Sequence, residues 1–186
     1  MYQPQDFKHL LGMPGMSDAL LMNHFTLYEG YVKNVNAIGE RAQAIEPGTP
    51  EGAELRRRFG WEWNGMRLHE LYFGNLTKES LPLNAQSSLA QSIAERFGSI
   101  EAWEKDFRMA GAMRGIGWVA LVWDEERLFN VWINEHDGGH LAGATPLLVM
   151  DVFEHAFMLD YGLKRADYID TFFRSIDWQA VERRLQ

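Results

Sequence analysis

The sequence predicts an α+β fold, with an N-terminal antiparallel α-helical hairpin followed by an α/β domain that holds a three-stranded antiparallel sheet. Three observations carry that expectation. Two long segments near the N-terminus repeat their apolar residues at helical spacing on either side of the break EPGTPEG at 46–52. Three short runs rich in aromatic and β-branched residues follow later in the chain. Helical segments lie before and after those runs rather than within them, the pattern of an antiparallel layer.

The first helix starts at Ser17 and Asp18, residue types that cap a helix N-terminus, and runs to the Pro/Gly break. Leu20, His24, Tyr28, Tyr31, Val35 and Ile38 share one face of it, which turns His24 inward and Asn23 less so. The second helix is expected from about 54 to 76. There His69 is flanked by Met66, Tyr72, Phe73 and Leu76 on an apolar face, so each arm of the hairpin carries one inward histidine. Two further helices are expected at about 87–97 and 100–113, the latter opened by Ser99. GIGWVALVWD and RLFNVWIN read as strands joined by the polar turn DEER, and PLLVM forms a third strand leading directly into Asp151. The tail from about 154 to 184 returns to helix. The expected division is a helical hairpin unit over 1–80 and an α/β unit over 81–186.

The chain has 186 residues, 46% hydrophobic and 13% aromatic, enough for a sizeable interior. No apolar run approaches the ~20 residues that span a bilayer, and MYQPQDFKHLLG lacks the regions of a signal peptide, so a cytoplasmic protein is expected. A formal charge of −8 disfavours nucleic acid and anionic membrane as partners. There is no cysteine, which removes disulfides, thiolate metal sites and a cysteine nucleophile. Any metal must use histidine, carboxylate and water.

The stretch DVFEHAF at 151–157 sets Asp151, Glu154 and His155 among Val152, Phe153, Ala156 and Phe157. Charge buried without a partner costs several kcal/mol, roughly 2 to 7 even for a neutral polar group, so something should compensate it. His24, His69 and His155 with Asp151 form a mixed N/O set that suits Fe, Mn or Zn and leaves a position for water. No HExxH occurs, and the paired ExxH of a di-iron bundle is missing. A single-metal site is the economical reading.

These residues resemble the iron/manganese superoxide dismutase family. DVFEHAF is similar to that family's D-x-W-E-H-A-Y-Y signature, and LDYGLKRADYIDTFFRSIDWQAVERRL continues the likeness. RRFGWEWNGMRLHELYFGNL resembles the family's second helix, FGSIEAWEKDFRMAGAMRGIGWVALVWD its middle section, and NEHDGGHLAGATPLLVMD the loop and strand before its Asp ligand. Most of the chain from about 17 to 185 is covered, with the stretches in the same order. The resemblance implies one Fe or Mn ion per subunit between the hairpin and the α/β half. It carries His69, Asp151 and His155 onto ligand positions. At the first ligand the chain departs from the pattern, because eight residues before Tyr31, the gateway tyrosine position, stands Asn23, and His24 is only seven before. Either Asn23 replaces the ligand, or the family's extra residue makes a π-bulge that this chain lacks. Helical periodicity favours His24.

The resemblance also implies the surroundings. His136 matches the residue facing the metal's bound water, Tyr31 the gateway tyrosine and Trp118 a wall of the site. Tyr28 and Met158 match a pair that meets across the subunit interface, Glu154 an acid that reaches the other subunit, and Arg165 an arginine near the funnel that draws in a small anion. Phe153, Phe157 and Met158 depart from the signature's aromatic residues. The implied activity is dismutation of superoxide to oxygen and hydrogen peroxide by a homodimer or dimer of dimers. A second reading is a superoxide-dismutase-like protein, altered or inactive, with a structural or binding role. A third, a histidine/carboxylate hydrolase or oxygenase, needs a substrate pocket that the sequence does not announce.

Overall fold

The computed structural model describes residues 1–185 and has the expected α+β architecture. Helix α1 spans Asp18–Ala44, and the Ser17 hydroxyl accepts from Leu20 N–H at its start. Helix α2 spans Pro50–Phe73, capped by Thr49, whose hydroxyl accepts from Gly52 N–H. It begins four residues before the expected Glu54, because the last proline of the break is a favourable first helical residue rather than part of a loop. The two long helices pack against each other as an antiparallel hairpin. Gly65 permits the contact: a Cβ there would lie 2.6 Å from the Tyr31 ring.

Helices α3 (Ser88–Phe97) and α4 (Ile100–Ala112) are each opened by a serine, Ser87 and Ser99, at the expected places. Strands β1 (Gly117–Trp123), β2 (Leu128–Asn134) and β3 (Thr145–Asp151) form one sheet in the order β2-β1-β3, with both pairings antiparallel. The central strand is buried along nearly its whole length, as its unbroken apolar run requires. Its register sets Trp118 opposite Asp151 on one side and Ile133 on the other, which brings the tryptophan to the end of β3.

The tail differs from the expected helix over 154–184. A 3-10 turn at Glu154–Ala156 is followed by short helices α5 (Met158–Tyr161), α6 (Arg165–Arg174) and α7 (Trp178–Glu182). The breaks have local causes. Phe157 leaves helical geometry, and Gly162 adopts φ +54. Leu76, expected on α2, instead forms an antiparallel bridge with Ile176, so helix α2 stops at Phe73 to meet the tail. On α1 the buried stripe drifts from Tyr31 to Val32, leaving Tyr31 half-buried where it faces a loop. Among the described residues no helix is long and apolar enough to cross a membrane.

Candidate metal centre

The site is assembled from the middle of α1, the middle of α2 and the corner after β3. His24 and His69 are buried on facing stripes, and their rings meet edge-to-face with centroids 5.0 Å apart. Asp151 is the last residue of β3. Its Oδ1 accepts from Phe153 N–H at 2.8 Å, which bends the chain into the 3-10 turn and folds His155 back towards Oδ2. The i, i+4 spacing of Asp151 and His155 is therefore produced by a strand-to-turn corner, where the sequence suggested a strand running into a helix. Oδ2 of Asp151 lies 3.2 Å from His24 Nε2, 3.7 Å from His69 Nε2 and 3.2 Å from His155 Nε2. The four donor atoms all lie within 4.8 Å of one another.

Hydrogen bonding shows what this group can hold. His69 Nδ1 faces the Gly65 carbonyl at 2.6 Å, and a carbonyl only accepts, so Nδ1 carries the proton and Nε2 presents a bare lone pair. That lone pair is fully buried and has no hydrogen-bond partner among the described residues. An orphaned buried acceptor costs about 1–3 kcal/mol, and a cation among the four groups would satisfy it. Ligand bonds of about 2.0–2.2 Å to imidazole and carboxylate suit a set this closely spaced. Asn23 lies on the exposed side of α1, and α1 is regular through this region, so His24 joins the cluster and Asn23 does not.

The electrostatics agree. Burial lowers the pKa of His24 and lowers that of His69 further, which keeps both rings neutral. Burial alone would push the Asp151 carboxyl up, but the charge of His155 and the hydrogen bonds of His155 and His24 outweigh it and hold the acid well below the usual carboxylate range.

Beside this cluster stands a relay of three side chains. Trp118 Nε1–H donates to His136 Nδ1 at 3.1 Å, and His136 Nε2 lies 2.7 Å from the Tyr31 hydroxyl. An indole nitrogen only donates, so Nδ1 must accept and the neutral ring carries its proton on Nε2. Nε2–H then donates to the Tyr31 oxygen, which frees the Tyr31 proton for another acceptor. Burial lowers the pKa of His136 to about 4, so the neutral ring persists through neutral pH. Burial likewise raises the Tyr31 phenol, keeping its proton in place. Tyr31 also packs 5.1 Å from the His69 ring, between the relay and the cluster.

The remaining expected residues are placed less uniformly. Tyr28 is 1% exposed; its hydroxyl donates to Glu70 Oε1 and accepts from Gln5 N–H. It is therefore engaged inside the subunit, where the resemblance implied a pairing with Met158 across an interface. Met158 is 42% exposed, and with Glu154 and Arg165 it lines a surface groove of about 630 Å³. Arg165 gives its guanidinium to the carbonyls of Met113, Gly115 and Val152, at 2.6, 2.7 and 2.9 Å. It fastens α6 to the segments flanking β1 and β3, where the resemblance implied an arginine that draws in a small anion. Two supports were not anticipated. Tyr168 donates to the Asp151 carbonyl at 2.7 Å, and Trp61 lies edge-on against His136 at 4.4 Å. The cue in each case was an aromatic residue at a helical position, buried for Tyr168 and half-buried for Trp61, which ordinary packing also explains.

Comparison with known proteins now decides the family. The profile of iron/manganese superoxide dismutases, C-terminal domain, matches residues 85–184. Over 180 residues the chain is 37% identical to manganese superoxide dismutase 2 of Haloferax volcanii, covering 93% of this chain and 88% of that protein. The chain belongs to the iron/manganese superoxide dismutase family. It is also 34% identical to the iron superoxide dismutase of Cupriavidus metallidurans, over 92% of this chain and 89% of the relative. The iron superoxide dismutase of Aquifex pyrophilus is 32% identical over 99% of this chain and 91% of its own length. Members bearing iron names and members bearing manganese names thus resemble the chain to similar degrees.

Proposed function

We propose that the chain dismutates superoxide to oxygen and hydrogen peroxide at one iron or manganese ion per subunit, held by His24, His69, Asp151 and His155. The observation that carries this is the convergence of three imidazole nitrogens on one buried carboxylate oxygen, with the His69 lone pair otherwise unpartnered. The ion, when bound, supplies reversible one-electron exchange with superoxide. The protein's own residues do the rest. Asp151 offsets the cation's charge, and the buried rings of His24 and His69 keep their donor atoms neutral. Tyr31, with its proton released from the hydrogen bond to His136, is the donor for one of the two protons that peroxide formation consumes, solvent supplying the other and restoring the phenol; His136, locked by Trp118, keeps Tyr31 in that orientation.

His24, rather than Asn23, is the first ligand in this reading, and the site lies between a hairpin unit over 1–80 and an α/β unit over 81–186. The family match beginning at 85 supports that division. A second copy of the chain is the proposed partner, as homodimer or dimer of dimers. His155 retains 29% side-chain exposure while its three neighbours have none, and the groove beside it exposes Met113, Met158 and Leu163. A protomer laid there would seclude the fourth ligand and bring Glu154 to the interface.

Metal analysis of the purified protein followed by a superoxide-decay assay tests the proposal. Near one ion per chain is expected for the native protein and for Asn23→Ala. His24→Ala, His69→Ala and His155→Ala should each lose the metal and the activity. Unchanged metal content in the histidine variants would overturn the site, and a loaded native protein without activity would leave the structural-subunit reading.

A further inference from the structure

We propose that Trp61 is a positioning residue for the reaction, holding His136 in the orientation that frees the Tyr31 proton. This rests on the role given to His136 above. Trp61 stands on α2, and its indole closes the outer side of the His136–Tyr31 pair. Its centroid is 4.4 Å from the His136 ring at 76° and 5.7 Å from the Tyr31 ring. Its Nε1–H donates to Glu135 Oε2 at 3.1 Å.

Glu135 is the residue next to His136, and its φ of +49 lies in the left-handed region that side chains other than glycine seldom adopt. Holding such a residue there costs on the order of 1–3 kcal/mol unless its surroundings fix it. The Trp61 bond is one such fixture, and the tight Asn134–Gly138 backbone pairing is another. Beyond Gly138 the chain continues as loop to Ala144, with the His140 ring bonded to the His136 carbonyl. The conformation that aims His136 at Tyr31 is therefore held from α2 by Trp61, alongside the Glu135 N–H bond to the Ile116 carbonyl and the Trp118 bond to the ring.

Trp61 is itself clamped. The Arg58 guanidinium lies 3.9 Å over the indole face, and its Nε–H and Nη2–H donate to Glu62 Oε1 at 2.9 and 2.7 Å. Glu62 Oε2 accepts from Asn34 Nδ2–H on α1. Glu62 is 2% exposed, a buried carboxylate remote from the metal cluster that serves to fix an arginine above a tryptophan. Burying a charge for that purpose adds little stability and much geometric definition. The chain Asn34–Glu62–Arg58–Trp61–Glu135 thus links both hairpin helices to the loop that carries His136.

Three variants separate this role from plain packing. Trp61→Phe keeps a ring against His136 but removes the N–H; Glu135→Ala removes the acceptor; Glu135→Gln keeps one. Amide hydrogen exchange over 134–144 in the purified full chain reports the loop, and kcat and KM in the superoxide assay report the reaction. Trp61→Phe and Glu135→Ala should each speed loop exchange about tenfold and lower kcat about tenfold at near-constant KM, the scale of losing an outer support of a metal site. Glu135→Gln should restore both. Native exchange rates in Trp61→Phe and Glu135→Ala, or Glu135→Gln as impaired as Glu135→Ala, would overturn the proposal. The exchange measurement decides independently of whether the native chain dismutates superoxide.

Discussion

Replacing His136 with glutamine should flatten the acid limb of the metal-free chain's stability. Glutamine offers one acceptor for Trp118 and one donor for Tyr31, so the hydrogen-bond pattern of the neutral ring is preserved and only titration is lost. Burial moves the His136 pKa from 6.5 in the unfolded chain to about 4 in the folded one. Below pH 6.5 the unfolded chain binds a proton that the folded chain refuses until about pH 4, so stability present above 6.5 is lost as the pH falls through that window. With those two values the loss between pH 7 and pH 5 comes to about 2 kcal/mol for this one group. The assay is urea unfolding followed by tryptophan fluorescence, with chelator present and protomer concentration fixed, since association also shifts apparent stability. The native chain should lose about 2 kcal/mol more than His136→Gln over that interval. A difference below about 0.5 kcal/mol, or one of opposite sign, would refute the claim that the ring is held neutral by burial.

Gly65→Ala places a Cβ 2.6 Å from the Tyr31 ring, whereas Gly60→Ala on the same helix meets nothing within 4 Å. The first should cost about 1–3 kcal/mol and depress dismutase activity by displacing Tyr31 from His136, while the second should leave activity intact; thermal unfolding and superoxide decay on the pair check both. For Arg165 the three carbonyl bonds predict that Lys and Gln variants lower stability alike, by about 1–3 kcal/mol, with the salt dependence of kcat/KM unchanged. A salt dependence retained in Arg165→Lys and weakened in Arg165→Gln would instead restore a steering role.

Much of the fold is written locally and was legible for that reason. Ser17, Ser87 and Ser99 each cap the helix that periodicity predicts, and the three strands fall where aromatic and β-branched residues concentrate. The errors arise where local chemistry has two uses. Pro50 belongs to a breaking segment and also suits a first helical turn, and only the Thr49 cap decides between them. The tail carries helical spacing throughout, yet it must deliver His155 to Asp151 and then bridge Ile176 to Leu76. Those long-range demands break it into pieces that periodicity cannot foresee.

At the site, residue type and helical phase were sufficient to bring His24, His69, Asp151 and His155 together, because an imidazole on an apolar face needs something to accept its lone pair. They were insufficient wherever the role depends on which atoms are already bonded. Arg165 is positively charged in any reading, but three carbonyls engage it, and a guanidinium so engaged is a brace before it is a lure. Tyr28 shares its face of α1 with His24, but Glu70 and Gln5 use its hydroxyl on both sides. His136 shows the converse. The sequence allows it two tautomers, and a single N–H from Trp118, delivered by the register of β1, leaves it one. The proton that Tyr31 has to give is thus determined on a strand neighbouring neither hairpin helix in sequence, and this is why α1 and α2 by themselves yield His24 and His69 but not the order of the hydrogen bonds beside them.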